Sequence, residues 1–409
     1  MYLGMKREGT KKPGRKARDM LKRFLRVTLF LSIVAVLLSA LALQMRAAQA
    51  AASSGQTQVN SASCGKWGVV PSPNGNGSSG LNTVTVVSAN ALWAVGNVSD
   101  PQTRVQTTLI EYWNGTQWQI VSNPNPSPEF NNFYGVAAIS ENDAWAVGFY
   151  ANSVGIAQTL IEHWDGSTWS VVSSPNAGSQ GNELLGVAAV SADDVWAVGF
   201  AATRNGDQKA LIEHWNGHNW RVVPSPQASS VDVLSSVAAV STNDVWAVGT
   251  SSTEGQTLIE HWNGSRWQIV PSPATGGELR GVTAASANDV WAVGDAPNSA
   301  DGSSQALIEH WNGTNWQVVP SPQATSPSLL SAVAAVSATD VWVVGSQGSD
   351  TAFFQTLIEH WNGRSWQIVP SPSPGSFSTQ LSGVAAVSAK DVWVVGYADS
   401  NTLVEHDQC

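Results

Sequence analysis

Residues 186–226 read GVAAVSADDVWAVGFAATRNGDQKALIEHWNGHNWRVVPSP. Four short runs stand out in this stretch: Gly186–Ser191, Val195–Gly199, Ala210–Trp215 and Trp220–Pro226. Each is rich in Val, Ile or Trp and bounded by turn residues, which is the pattern of strands. Asn216-Gly217 separates the last two runs. That dipeptide tolerates positive φ at both turn positions and marks a tight hairpin.

The stretch recurs along the chain. Trp196 has counterparts at Trp93, Trp145, Trp246, Trp291, Trp342 and Trp393, spaced by 45–52 residues. Asn-Gly or Asp-Gly returns at Asn114, Asp165, Asn263, Asn312 and Asn362. A period near 50 with four strands per unit is the signature of a propeller blade. The expected fold is therefore all-β, a seven-bladed β-propeller with four strands per blade, over residues 64–409.

Seven first halves of the repeat are present, but only six complete second halves. The last blade stops at Thr402-Leu403-Val404-Glu405-His406, while Trp67-Gly68-Val69-Val70-Pro71-Ser72-Pro73 matches the missing fourth strand. The N-terminal strand should complete the last blade, which removes exposed sheet edges. The chain has two cysteines, Cys64 and Cys409, and in register both fall at the tip of the hairpin turn absent from this seam. A Cys64–Cys409 disulfide is expected in place of the peptide connection, because two cysteines allow one pairing.

An aromatic residue or histidine stands six positions before a tryptophan in the second half of each unit. The pairs are Tyr112 and Trp118, then His163, His214, His261, His310 and His360 before Trp169, Trp220, Trp267, Trp316 and Trp366. With a glycine closing the second strand, as in Val198-Gly199, this resembles the Kelch-like propellers, among them the propeller domain of galactose oxidase. The chain departs from that pattern in having Val-Gly for a glycine doublet and mostly histidine for tyrosine. The resemblance implies topology, not an activity.

Residues 1–26 carry ten Lys or Arg, an apolar run follows over Val27–Leu43, and Ala48-Gln49-Ala50 forms a small-x-small site. Residues 1–50 read as a secretory signal peptide. The rival reading is an uncleaved signal anchor, since the run is just long enough to span a bilayer. Residues 51–63 read as a flexible linker. Both readings place the propeller outside the cytoplasm, where a disulfide persists.

The first 50 residues hold 11 Lys or Arg and 2 Asp or Glu, which leaves 9 basic against 28 acidic residues in the remainder. So acidic a body lacks the basic stripes that nucleic acid needs. It would meet a membrane only through the N-terminal segment. A monomer without cofactor or metal is expected.

Glutamates recur in register at Glu111, Glu162, Glu213, Glu260, Glu309, Glu359 and Glu405, and six are followed directly by histidine. Neighbours on a strand point to opposite faces, so these pairs do not converge on a catalytic or metal centre. Residues that every blade carries answer a need of every blade. The aspartates that precede the first tryptophans, such as Asp194, read as turn devices bonding their own backbone, with Ala91 in their place in blade one. The repeated tryptophans read as core, and the sialidase box S-x-D-x-G-x-x-W is absent.

Function should sit where the repeats differ, on the long variable loops of one face. The non-repeated aromatics there are Phe130, Phe133, Tyr134, Tyr150, Phe353, Phe354, Phe377 and Tyr397, and the loop cations are Arg104, Arg204 and Arg280. Exposed aromatics suit a protein or glycan surface. The expectation is an extracytoplasmic, non-catalytic binding scaffold with a protein or glycan partner. A multivalent lectin with inter-blade sites is one alternative. A secreted enzyme acting on polysaccharide or a small metabolite is another, with Glu183, Asp207, Glu278 or Asp301 as its acid–base candidates.

Overall fold

The computed structural model describes residues 66–408, except 252–254, 275, 299–300, 323–326 and 349–352. The N-terminal segment, the linker and both cysteines lie outside the described residues. The described residues form 28 strands in seven four-stranded antiparallel sheets. The expected seven-bladed propeller is the fold. In blade three the strands run Gly181–Ser191, Asp194–Ala202, Gln208–Trp215 and Trp220–Val222. The inner strand starts five residues earlier than the sequence pattern suggested, and the outer one stops at Val222. Pro224 and Pro226 follow, and proline has no N–H to give the ladder.

The ring closes as the repeat count required. Gly68–Val69 pairs antiparallel with the last strand, Gly68 opposite His406 and Val69 opposite Glu405. Trp67 meets Trp342 of the preceding blade edge-on at 5.8 Å.

The core lies between blades. Trp196 packs on Trp262 at 5.1 Å and on Trp267 at 5.4 Å, both from the next blade. Aromatic pairs of this kind contribute roughly 0.5–1.5 kcal/mol beyond the area they bury. The tryptophans of the second and outer strands are only 2–7% exposed. They are core, and they cannot offer ring faces to inter-blade sugars.

The glutamate and histidine of each third strand diverge as alternation demands. The glutamates are fully buried, and most accept a hydrogen bond from the polar residue between the prolines of the preceding blade. Ser225 Oγ donates to Glu260 at 2.9 Å, Ser272 to Glu309 at 2.7 Å and Ser321 to Glu359 at 2.8 Å. Ser72, on the strand that closes the ring, donates to Glu111 at 2.7 Å. The PSP segment thus ties one blade to the next as well as leading the chain out of the outer strand. Glu213 and Glu405 have no hydrogen-bond partner among the described residues. Their serines turn elsewhere, Ser174 to Thr159 at 2.6 Å and Ser371 to Thr356 at 2.8 Å.

The histidines face the other way, and here the turn reading of the aspartates needs correction. His163 Nε2 lies 2.9 Å from Asp143 Oδ1, His261 lies 2.7 Å from Asp244, and each ring lies over the tryptophan of the second strand. The aspartate bonds across the sheet rather than to its own turn. Blade one lacks both members: Ala91 stands where the other blades have aspartate, and Tyr112 where they have histidine, packed on Trp93 at 4.6 Å.

Candidate functional site: the axial channel

Every inner strand carries two bulges against the second strand, one near the turn and one further back along the strand. In blade three Leu184 pairs with Gly199 and Gly186 with Val198, so Leu185 is left out of the ladder as a bulge. The same shift recurs at Asn82, Tyr134, Ser235, Arg280, Ser331 and Ser382. A bulge re-aims one side chain. These seven are aimed at the ring axis, where they line a cavity of about 340 Å³.

Two constraints hold this geometry. A Cβ on Gly199 would lie 1.9 Å from the carbonyl oxygen of Glu183, so the glycine of the Val-Gly pair is what lets the bulge close against the second strand. The residue after each bulge is small because the inner strands crowd together at the axis. A Cβ on Gly383 would lie 2.7 Å from Cα of Thr83 in the neighbouring blade. The flanking positions are thus dictated by packing, while the bulged residue faces open space and differs around the ring.

Polar and aromatic groups crowd the end of the channel where the chain enters the inner strands. Asn82 Nδ2 donates to the carbonyl of Phe133 in the next blade at 2.6 Å. Arg280 is held between Glu278 at 3.0 Å and Asp295 at 2.9 Å. The ring of Tyr134 lies parallel to Phe149 at 6.0 Å, and Phe149 meets Phe130 at 5.3 Å. An aromatic ladder therefore runs from the blade connection to the cavity wall. Burial, with the charge of Glu183 as a second cause, pushes the Tyr134 phenol well above its ordinary range. Glu183 is half-buried beside it, and burial pushes its carboxyl up to about 7. Tyr397 donates to Gln380 Oε1 at 3.0 Å, and its phenol is also raised by burial.

The structure sorts the residues chosen from sequence. Tyr134 and Arg280 line the cavity, with Phe130 at the foot of the ladder. Phe353, Phe354 and Phe377 are exposed at 60%, 39% and 48%, with Phe353 edge-on to Phe377 at 5.7 Å. They form a second patch where blades six and seven meet. Phe133 is a correction: it is fully buried in the place other blades give to leucine, such as Leu184, and no ligand can touch it. Tyr150 is half-buried and leans on the same core cluster. Arg204 is exposed, and Arg104 is exposed at a turn with φ of 64°.

The acid–base candidates separate too. Asp301 caps its own turn through Ser303, which holds its carboxyl below the usual range. The carbonyl of Asp207 closes a turn from Thr203. Glu278 is engaged by Arg280. Sequence reasoning missed Asn82, Leu185, Ser235, Ser331, Ser382 and Phe149. A signal was available: in aligned repeats, the positions on either side of the inner-strand leucine vary while the leucine itself is kept in six of the seven blades.

No family model matches the chain, and no curated protein matches it. Solved structures do. A structure of YCF48 bound to D1 peptide is 15% identical with a TM-score of 0.54, covering 85% of this chain and all of that one. The RRP9 WD40 repeats are 11% identical with a TM-score of 0.55, over 83% and 96% of the two chains. A polysaccharide lyase of family PL25, an ulvan lyase, is 13% identical with a TM-score of 0.50, over 80% and 94%. Likeness at these identities shows the propeller fold alone.

Proposed function

We propose that this chain is an extracytoplasmic recognition scaffold, with a protein or glycan ligand that enters the axial channel from the loop face. One observation carries the reading. The repeat constrains almost every buried position, yet the seven bulged residues that meet in one cavity are Asn, Tyr, Leu, Ser, Arg, Ser and Ser. Packing does not ask for that variety, and a specific ligand does. The cavity falls within the ~300–1,000 Å³ typical of ligand pockets. Of the four carboxylates weighed for acid–base work, Asp301 caps its own turn and Glu278 is engaged by Arg280. We read the cavity as a binding site, with asparagine, serine, tyrosine and arginine on its wall.

Peptide and polysaccharide both occur among the propellers of similar fold, in the YCF48 complex and the ulvan lyase. The finer assignments are also ours: a Kelch-like repeat on the six-residue spacing, export on the N-terminal segment, a seam disulfide on the register of Cys64 and Cys409, and a monomer. The test is binding of the full chain to peptide and glycan arrays, beside a Ser235→Trp variant that fills the channel. Ligand lost in the variant supports the axial site. Ligand retained in full moves the site to the exposed Phe353–Phe377 patch.

A further inference from the structure

The wall of the axial cavity is divided by blade. Blades two and three, which are neighbours, contribute Tyr134 and Leu185. The other five blades contribute, in ring order, Ser235, Arg280, Ser331, Ser382 and Asn82. An aromatic and aliphatic arc thus stands across from an arc of hydrogen-bonding groups. Arg280 is the one charged residue on the wall, and Glu278 at 3.0 Å and Asp295 at 2.9 Å already hold it. Ser236, beside the bulge of blade four, accepts from the Val282 N–H at 3.2 Å and serves the fold. Ser331 Oγ is different: it is buried with no hydrogen-bond partner among the described residues. A buried hydroxyl left in that state costs free energy unless something bonds it. Asn82 commits its amide nitrogen to the Phe133 carbonyl at 2.6 Å, which leaves its oxygen to accept.

We infer that the axial cavity receives a neutral sugar, the terminal ring of an oligosaccharide, with its C–H face toward Tyr134 and Leu185 and its hydroxyl edge toward the serines and Asn82. A hydroxyl both donates and accepts, so the hydroxyls of a sugar and those of Ser235, Ser331 and Ser382 can satisfy one another in either direction. A pyranose carries such groups around its whole edge and can meet several blades at once. A peptide side chain entering along the axis brings one polar group at its tip and leaves most of the arc unused. Charge selects in the same sense. A uronic acid or a phosphate would compete with Glu278 and Asp295 for Arg280. A cation would meet that guanidinium on a wall whose lining residues include no carboxylate. This inference rests on the axial reading of the function and narrows it to a glycan.

The test presents the full chain with an array of neutral oligosaccharides, uronate- and sulfate-bearing oligosaccharides and short peptides, and titrates each binder by calorimetry. A neutral oligosaccharide is expected to bind at one per chain, since the ring has one axis. Ser235→Trp should abolish it. Ser331→Ala removes one hydroxyl and should weaken it roughly three- to tenfold, the effect of one neutral hydrogen bond. Leu185→Ser should weaken it from the apolar side. The near-UV spectrum of the tryptophans reports whether each variant keeps its fold. A charged oligosaccharide that binds more tightly than every neutral one overturns the inference of a neutral guest. Failure of every saccharide overturns the sugar, and a peptide that binds instead and is blocked by S235W leaves the axial site standing. Binding that S235W does not change overturns the axial reading itself.

Discussion

His214 Nε2 lies 2.8 Å from Asp194 Oδ1, and its imidazole stacks on Trp196 at 4.1 Å. The aspartate comes from the second strand and the histidine from the third, so the pair staples two strands over the ring that anchors the next blade. Six blades carry this pair, and blade one carries neither member. The pair therefore acts as a unit, and its members should be replaceable together but not singly. Asp194→Ala alone leaves the histidine half-buried without its acceptor, which costs ~1–3 kcal/mol. Adding His214→Tyr rebuilds the arrangement of blade one and should recover most of the loss. Urea unfolding of the two single variants and the double variant measures the coupling. Additive losses would refute it.

The bulge gives a second prediction. Gly199→Ala places a Cβ 1.9 Å from the Glu183 carbonyl, against backbone that cannot swing away. The expected loss exceeds ~3 kcal/mol, in the class of overpacking and backbone strain. Gly68→Ala is the control, since nothing lies within 4 Å of its added carbon. It should leave the midpoint of unfolding unchanged.

The ring, the strand order and the seam were legible because the repeats align with one another, so a missing strand at one end could be matched to a spare strand at the other. The histidine–aspartate pair was equally legible, since Ala91 and Tyr112 depart together. It was missed because a turn aspartate was read against its own turn and not across the sheet. The channel was hidden for another reason. Alternation assigns faces by counting in twos, and one extra residue at Leu185 resets the count without changing the composition. Phe133 was misplaced for want of the same register, which puts it level with Leu184. Nothing in the pattern of any one blade shows that seven bulges meet at a common axis.

The buried glutamates predict a pH dependence. Burial raises Glu111, Glu309 and Glu359 from the ordinary 4.5 to about 7, with the serine hydrogen bonds opposing it. It raises Glu213 and Glu405, which have no such bond, to about 8. The folded chain then holds more protons than the unfolded chain between pH 4.5 and 8. Stability is complete below that window and falls as pH rises through it. The thermal midpoint should be higher at pH 5 than at pH 8.5. Glu213→Gln isolates one group, because the amide cannot ionise. It should flatten the slope between those values, and an unchanged slope would rule out this carboxyl as a source of it.

The last prediction concerns the seam. Gly68 and Val69 pair with the final strand, Val70 N–H donates to the Val404 carbonyl at 2.9 Å, and Trp67 meets Trp342 on one side. Every other blade has a peptide connection between its third and outer strands, whereas here the join is noncovalent unless Cys64 and Cys409 bond. Cys64 stands four residues before Gly68 and Cys409 three after His406, the two residues paired across the seam. A disulfide would close a loop spanning nearly the whole fold, worth at most ~5–6 kcal/mol in the chain-entropy model. Reduction should lower the thermal midpoint of wild type and leave Cys64→Ser unchanged. Under oxidising conditions C64S should already match reduced wild type. Peptide mapping without reduction should yield one linked fragment joining the two ends, and two free thiols in the folded, oxidised protein would dismiss the bond.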